Sequence, residues 1–227
     1  MMVPENKSVA VVVPAFNASA TLPELLERLS AVVPLSAVIV VDDGSSDATA
    51  SIARERGATV LRHERNRGKG AALRTGFRYV GGNPGTHSVI TLDADLQHRP
   101  EDIPRLMEVR QREGAALVIG VRQRSGTSMP LARRLSNFLT SLLVSARTGK
   151  RVLDSQCGFR LIGREVLDRV SFRRDGFEAE TEFLIKALRQ GFSFRFVAIP
   201  TIYLPYGSHM TNWETTRRFL QVLMGDL

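Results

Sequence analysis

The sequence predicts an α/β fold in which a mostly parallel central sheet is covered by helices on both faces. In the first half of the chain, short apolar segments alternate with segments whose apolar residues follow helical spacing. The apolar segments are continuous, as expected of strands that are buried on both faces. Residues that favour turns or begin helices follow several of these strands.

Five strands and four helices are expected in this first half. Continuous apolar runs, typical of buried strands, alternate with stretches whose apolar residues lie three and four positions apart, as in helices. The expected strands cover 9–13, 38–41, 59–61, 89–92 and 117–119. The helices are marked by Leu22, Leu25, Leu26 and Leu29; by the caps Ser45, Ser46 and Asp47 with a stop at Gly57; by Leu73, Phe77 and Val80; and by Ile103, Leu106 and Met107.

The second half is less regular. A long helix is expected where Leu131, Leu135, Phe138, Leu139 and Leu142 share one face, which is either a core face or lies beside a lipid. A second helix is expected over 183–188, and alternation over 192–196 predicts a half-buried strand. Residues 211–227 are expected to form a C-terminal surface helix.

Length and composition indicate one soluble globular domain over 1–227. The 227 residues are 43% hydrophobic and 24% charged, and the single cysteine excludes an intrachain disulfide. No apolar run approaches the roughly 20 residues of a membrane-spanning helix, so we expect a cytoplasmic protein, peripheral at the inner face of the membrane. The net charge of +8 is scattered, which favours phosphorylated ligands or an anionic membrane surface over nucleic acid.

The segment Asp93-Ala94-Asp95-Leu96-Gln97 directly follows an apolar run that ends at Leu92. If its backbone is extended, the two carboxylates and the amide point to one side. Hard oxygen ligands of this kind suit Mg²⁺ or Mn²⁺. The alternative is an acidic turn in which Asp95 helps to cap the next helix.

Polar segments follow the ends of four expected strands. They are Val13-Pro14-Ala15-Phe16-Asn17, Val41-Asp42-Asp43-Gly44-Ser45-Ser46-Asp47, Arg65-Asn66-Arg67-Gly68-Lys69-Gly70 and the Asp93 segment. A parallel sheet gathers such segments at one edge, where open α/β sheets bind their ligands. Glycines 68 and 70 are expected to let backbone approach a ligand, and Lys69 supplies positive charge.

Taken together, these motifs resemble those of family 2 glycosyltransferases with the GT-A fold. Within that family the chain is most similar to polyprenyl-phosphate sugar transferases of the dolichyl-phosphate mannose synthase type. The residues that carry the resemblance lie at 13–17, 42–47, 66–70, 93–98, 119–122 and 154–160. The resemblance implies an inverting, metal-dependent hexosyltransferase with a nucleotide-sugar donor and Mg²⁺ or Mn²⁺ as cofactor.

The resemblance also implies roles for particular residues. Asp95, Arg122 and Asp154 are expected to be catalytic, and Asp93, Asp95 and Gln97 to hold the metal. The nucleotide sugar is expected to contact Pro14, Phe16, Asn17, Asp42, Asp43, Lys69, Asp93, Ala94 and Asp95. Ala18 stands where the subgroup carries a glutamate, so the donor is left open between GDP- and UDP-hexose.

Polyprenyl phosphate is the expected acceptor. The implied acceptor residues are Arg133, Arg134 and Ser136, with Ser208 and His209 in a loop that closes over the diphosphate. A guanidinium fork suits a phosphate oxygen pair. A phosphate acceptor attacks unaided, whereas the alternative acceptor, a hydroxyl of a glycan or glycolipid, needs a general base such as Asp154 or Glu180.

Three further classes of protein each have a feature against them. Leu96-Gln97 does not fit a phosphatase with an aspartyl nucleophile, and Pro14-Ala15-Phe16-Asn17 does not fit the glycine-rich first loop of nucleotidylyltransferases. Intact metal residues argue against a non-catalytic adaptor.

Several remaining polar residues have simple structural interpretations. We expect His63, His87 and His98 to be solvated, Cys157 to be a small core residue, and Trp213 to pack or to anchor at a membrane surface. Glu178 and Glu180 are expected either to line the acceptor site or, with Glu182, to form a solvated helix face.

Overall fold

A seven-stranded sheet runs through the centre of the protein, for which the computed structural model describes residues 8–123, 131–200, 202 and 221–222. The strands are β1 (Ser8–Ala15), β2 (Val38–Asp42), β3 (Thr59–Arg62), β4 (Thr86–Thr91), β5 (Leu117–Arg122), β6 (Arg160–Gly163) and β7 (Phe194–Ile199). The helices are α1 (Leu22–Ser30), α2 (Thr49–Glu55), α3 (Lys69–Gly81), α4 (Ile103–Glu113), α5 (Leu131–Thr148), α6 (Arg164–Leu167) and α7 (Ala179–Arg189).

The strands lie in the order β3-β2-β1-β4-β6-β5-β7. β1 pairs in parallel with β2 and β4, β2 with β3, and β5 with β7, whereas β6 is antiparallel to both β4 and β5. Six strands therefore run in one direction and β6 runs against them. The carboxyl ends of those six strands lie at one edge of the sheet, where the polar segments follow β1 to β4.

The five expected strands and the half-buried strand near 192–196 are confirmed, with ends shifted by a few residues. β6 was not expected. Its four residues, Arg160-Leu161-Ile162-Gly163, are too few to show a period and include an arginine that is only 2% exposed. This strand enters the sheet because Arg160 has internal partners that the sequence does not show.

Both faces of the central strands are covered. Val11, Val12 and Val13 are fully buried, and every residue of β2 is buried, which explains why these strands read as continuous apolar runs. On α1 the four leucines expected to face the core, at 22, 25, 26 and 29, are all inaccessible to solvent.

Two expectations for the second half have different outcomes. α5 forms where it was expected, but Leu135, Phe138, Leu139 and Leu142 on its apolar face are exposed, so this is not a core face. The expected C-terminal surface helix lies almost entirely outside the described residues; within it, only residues 221 and 222 are described, and both are helical.

Helix α3 packs closely on the sheet at Gly76. A Cβ atom at this position would lie 2.5 Å from Cγ1 of Val12 on β1 and 3.3 Å from Cγ2 of Val41 on β2. Well-packed interiors cannot absorb such an overlap without movement of the helix. At Gly81, the last residue of the same helix, a Cβ would have no neighbour within 4 Å.

We therefore expect Gly76→Ala to destabilise the fold by roughly 1–3 kcal/mol through overpacking. The matched control Gly81→Ala adds the same methyl group to open space and should leave stability unchanged or slightly higher, since alanine is the better helix former. Urea unfolding followed by circular dichroism measures both. Equal stability of the two variants would show that α3 does not pack against Val12 as described.

Candidate active site

Hydrogen bonds tie the first two polar segments together at the carboxyl edge of the sheet. The backbone N–H of Asn17 donates to Ser45 Oγ at 2.9 Å, and Asn17 Oδ1 accepts from the backbone N–H of Ser46 at 2.9 Å. Asn17 has a left-handed backbone (φ 50°), which asparagine tolerates better than most residues. Phe16 beside it is 42% exposed, so its ring is available to a planar ligand, while Pro14 is half-buried.

Asp42 and Asp43 are buried and are engaged by protein groups. Asp42 Oδ1 accepts from the backbone N–H of Ser45 at 2.9 Å, and Oδ2 lies 3.1 Å from Nε of Arg62, its cross-strand neighbour on β3. Asp43 accepts from the backbone N–H groups of Arg67 at 3.0 Å and Gly68 at 2.7 Å. Asp43 thus holds the 65–70 segment against the end of β2.

His63 completes this arrangement and is not the solvated residue that was expected. Only 7% of it is exposed. Its Nδ1 lies 2.6 Å from Asp43 Oδ1 and its Nε2 lies 2.9 Å from Thr75 Oγ1. Nothing in the local sequence indicates this burial, because the two partners come from a different strand end and a different helix.

The glycines of the third segment approach protein backbone. The N–H of Gly70 donates to the carbonyl of Asp175 at 2.6 Å, and Cβ atoms at Gly68 and Gly70 would collide with the carbonyls of Asp175 and Arg174. The expected close approach is therefore to the 174–175 segment that precedes α7. Lys69, expected in a loop, is the first residue of α3.

Lys69 connects two carboxylates from distant parts of the chain. Its Nζ lies 2.7 Å from Asp93 Oδ1 and 2.9 Å from Glu180 Oε2. A Cβ at Gly158 would lie 2.9 Å from Asp93 Oδ2, 2.9 Å from Glu180 Oε1 and 3.0 Å from the ammonium, so a side chain there would displace the ends of this ion bridge. Burial opposes the charge on Lys69, but Asp93 and Glu180 outweigh it and raise the pKa of this lysine.

The Asp93 segment is a turn, which was the alternative expectation, and its backbone is not extended. Leu96 has a left-handed backbone (φ 60°), and the N–H of Gln97 donates to Asp95 Oδ1 at 3.0 Å. Burial opposes ionisation of Asp93, but Lys69 and His98 reverse this and lower its pKa. Although Asp95 is solvent-accessible, desolvation and then repulsion from Asp93 raise its pKa to about 6.

His98 is also buried, contrary to expectation. It is 5% exposed and stacks on Phe159 with ring centroids 5.7 Å apart. Burial lowers the pKa of His98 to about 4, so the ring is neutral at pH 7. His87, by contrast, is exposed, although it lies in β4.

Arg122 and Asp154 form a buried ion pair. Arg122 Nε and Nη2 donate to the two oxygens of Asp154 at 2.8 and 2.9 Å, and Asp154 is only 2% exposed. Burial opposes the charge of Asp154, and Arg122 overcomes it and lowers the pKa of the carboxyl group. A carboxylate held in this way is a weak base. The hydrogen bonds of the pair also fix the end of β5 to the 154–160 segment.

The same segment is held from within by Arg160. Its guanidinium donates to the carbonyls of Ser155, Cys157 and Glu180 at 2.9, 2.8 and 2.7 Å. In the sequence, Arg160 and Gly158 were identified only as members of a motif, without individual roles. An arginine inside an otherwise apolar strand is the signal that could have indicated a buried structural role for Arg160. Cys157 is fully buried, as expected, and burial raises its pKa to about 12.

The three acids near α7 are not a solvated helix face. Glu178, Glu180 and Glu182 are 3%, 7% and 3% exposed. Glu182 accepts from the backbone N–H groups of Arg173 and Arg174, so it shapes the preceding loop, whereas Glu180 reaches Lys69 and the site.

The expected acceptor residues are only partly described. Ser136 lies exposed on α5, and its carbonyl accepts from Thr140 Oγ1 at 2.8 Å. Arg133 and Arg134 lie in the first turn of α5, but their side chains are outside the description, as are Ser208, His209 and Trp213 altogether. The roles of these residues stay predictions.

Comparison with known proteins agrees with this geometry. Residues 10–174 match the model described as glycosyl transferase family 2. The chain belongs to this family. An uncharacterised protein of Methanocaldococcus jannaschii is 36% identical over 220 residues, covering 92% of this chain and 88% of the relative.

Two relatives of this family 2 glycosyltransferase have named activities. Undecaprenyl-phosphate 4-deoxy-4-formamido-L-arabinose transferase of Salmonella paratyphi A is 36% identical over 172 residues, but these cover 71% of this chain and only half of the relative. Glucosyl-3-phosphoglycerate synthase of Mycobacterium tuberculosis, solved with Mn²⁺, UDP and phosphoglyceric acid, is 25% identical with a TM-score of 0.72, covering 96% of this chain and 76% of that chain. The shared architecture confirms the expected GT-A type of fold.

Stability provides a test of the buried ion pair. Asp154→Ala leaves Arg122 buried without its partner and should cost roughly 3–5 kcal/mol at pH 7. Because the folded-state pKa of Asp154 is lowered, its contribution is present above the unfolded value of about 4 and is lost as the pH falls through the folded value. The difference between variant and wild type should therefore shrink in acid.

Urea unfolding at several pH values measures this difference. Glu113→Ala is the control, since it removes an exposed carboxylate that pairs with Arg195 and Arg112, and it should change stability little. A cost for Asp154→Ala that is no larger than the control's would show that the pair is not buried.

Proposed function

We propose that this glycosyltransferase moves a hexose from a nucleoside diphosphate to polyprenyl phosphate, with inversion at the anomeric carbon and with Mg²⁺ or Mn²⁺. The observation that supports it most is the contact of Lys69 with both Asp93 and Glu180. The ammonium of Lys69 is a fixed positive charge between Asp93, on the expected donor side of the site, and the buried acid Glu180.

The donor half of the site fits a nucleotide sugar. The ring of Phe16 is exposed at the end of β1, and the neighbouring 42–47 segment is hydrogen-bonded to the 14–17 segment. A nucleoside seated here would have its diphosphate near the start of α3, beside Lys69. GDP- and UDP-hexose both remain candidate donors, and the Mycobacterium tuberculosis structures contain UDP.

The side chains at 93, 95 and 97 fit a divalent cation that is shared with a substrate. Among the described residues no group of three or more His, Cys, Asp and Glu side chains forms a metal site by itself, so the cation needs oxygens from the diphosphate. Desolvation and then repulsion from Asp93 raise the pKa of Asp95, and a bound cation would favour the ionised form of both carboxylates. When bound, the cation would stabilise charge on the leaving diphosphate.

Residues of the chain itself would also stabilise the negative charge that develops on the leaving diphosphate. Lys69 adds positive charge beside Asp93, and Arg122 is fixed by Asp154, so neither group has to reorganise as negative charge develops. A phosphate monoester has a second pKa of about 6 and is largely dianionic at neutral pH. Such an acceptor attacks the sugar without a base, which is consistent with the weak basicity of Asp154.

A hydroxyl acceptor is the second candidate. Glu180 is buried beside the site and could take a proton from a hydroxyl group if Lys69 moved to the diphosphate. The Mycobacterium tuberculosis relative, solved with phosphoglyceric acid and UDP, supports this possibility. The Salmonella relative, named for undecaprenyl phosphate, supports the first candidate.

Metal binding should depend on pH through Asp95. Because its pKa is raised to about 6 in the folded protein, the group is protonated below that pH and must lose a proton to bind a cation. We expect the affinity for Mn²⁺ in the presence of UDP to fall by about tenfold per pH unit below pH 6. Calorimetric titration measures this affinity.

Two variants complete this experiment. Asp95→Asn should lose Mn²⁺-dependent UDP binding and most transfer while remaining folded, whereas Asp102→Asn, an acid on the next helix turn, should behave as wild type. Full transfer in the presence of a chelator, or undiminished Mn²⁺ binding by Asp95→Asn, would remove these residues from the metal site.

The acceptor is tested by comparing polyprenyl phosphate with the corresponding polyprenol, using mass spectrometry of the products. We expect transfer to the phosphate only, because the alcohol lacks an ionised nucleophile. Arg134→Ala should raise the KM for polyprenyl phosphate about tenfold or more while leaving donor affinity unchanged, since a charged hydrogen bond is lost. Arg112→Ala, on the exposed face of α4, is the control. Equal transfer to both lipids would favour the hydroxyl-acceptor alternative.

A further inference from the structure

Helix α5 buries several polar side chains and exposes most of its large apolar ones, although Val144 is fully buried. The residues that face the protein include Asn137, Thr140 and Ser141, which are 5%, 9% and 3% exposed. The opposite face carries large apolar side chains that are 46–58% exposed: Leu135, Phe138, Leu139, Leu142 and Leu143. In a helix that borders only water, the apolar stripe faces the core. The inversion indicates that the outer face meets an apolar medium.

The inner face explains why the helix is not rotated to bury its leucines. Ser141 Oγ accepts from the backbone N–H of Ser155 at 3.1 Å, and Thr140 Oγ1 lies 3.4 Å from the side-chain amide of Gln156. Ser145 Oγ accepts from the N–H of Val152 at 2.9 Å. Rotation would leave these buried polar groups without partners, which costs about 1–3 kcal/mol each.

The exposed apolar residues are concentrated on this element. Of the eight large hydrophobic residues that are exposed in the described part of the chain, five lie on α5 and Leu153 follows shortly after it. The other two, Phe16 and Tyr79, lie on β1's following loop and on α3. Single exposed hydrophobics are ordinary, but a contiguous patch marks an interaction surface.

Charge distinguishes between the candidate occupants of this surface. From Gly114 to Leu153 the sequence contains no aspartate or glutamate, but it contains Arg122, Arg124, Arg133, Arg134, Arg147, Lys150 and Arg151. Of these, Lys150 and Arg151 lie exposed just after the helix. Two copies of the chain, each with net charge +8, would bring like charges together around this face. An anionic lipid surface attracts exposed basic residues such as Lys150 and Arg151.

We propose that the outer face of α5 docks on an anionic lipid bilayer, with the helix lying in the plane of the interface. Its 18 residues give a length of about 27 Å, and no helix of the described residues is long and apolar enough to cross a membrane. This inference deepens the proposed function and rests on it for its purpose, because docking would hold the site at the leaflet that contains polyprenyl phosphate. The expected membrane contact through residues 211–227 is a separate prediction.

Sedimentation with vesicles of phosphatidylglycerol and phosphatidylcholine tests the surface. We expect the wild type to bind, to bind less at high salt, and to bind vesicles of pure phosphatidylcholine weakly. The double variant Leu139→Glu/Leu142→Glu should reduce the partition coefficient at least about tenfold, because two leucines no longer enter the interface. The control is Tyr79→Glu, which places the same charge at a residue of equal exposure on α3 and should bind as wild type.

Three outcomes would overturn the proposal: no binding of the wild type to anionic vesicles at low salt, undiminished binding of the double variant, or equal loss in the control. A wild-type dimer in solution that the double variant abolishes, without vesicle binding, would assign the face to contacts between copies. Circular dichroism and UDP binding show whether the variant is folded. Transfer by the wild type to a short, water-soluble polyprenyl phosphate without vesicles tests the proposed function separately.

Discussion

The ion bridge at Lys69 is the interaction on which the site depends. Its ammonium is the only contact described between the carboxylates of Asp93, at the end of β4, and Glu180, on α7. Lys69 is also the first residue of α3, where the helix dipole disfavours a cation. Burial disfavours it as well, and the two carboxylates together outweigh both effects and raise the pKa of the lysine. The two carboxylates likewise need the lysine, since without it they would face each other around Gly158.

Much of the fold follows from hydrophobic periodicity, and the site follows from where strands end. The runs at 9–13 and 38–41 predicted β1 and β2 because both faces of those strands are buried. The position of Asp93 after β4 placed it correctly at the carboxyl edge of the sheet. Periodicity could not show β6, because a four-residue strand with a buried arginine has no recognisable pattern. Nor could it show that the Asp93 segment turns at Leu96.

The remaining errors share one physical cause: the hydrogen-bond partners that allow polar residues to be buried cannot be identified from the local sequence. His63 is buried because Asp43 and Thr75 accept or donate at its two nitrogens, and those partners are 20 and 12 residues away. Glu182 is buried because backbone N–H groups of residues 173 and 174 surround it. For α5 the period correctly identified an apolar face. It could not show that the opposite face is the buried one, because the hydrogen bond between Ser141 and Ser155 is not visible in the sequence.

The 154–160 segment links these features into one unit. Asp154 holds Arg122 at the end of β5, Ser155 bonds to Ser141 on α5, and Gly158 leaves the space in which Lys69 meets its two carboxylates. Arg160 fixes the segment to the carbonyl of Glu180. A displacement of α5 would therefore move the backbone at Ser155, three residues from Gly158, where even a methyl group would press on the ion bridge. Through this segment, the helix that we assign to the lipid surface is mechanically joined to the residues assigned to the donor.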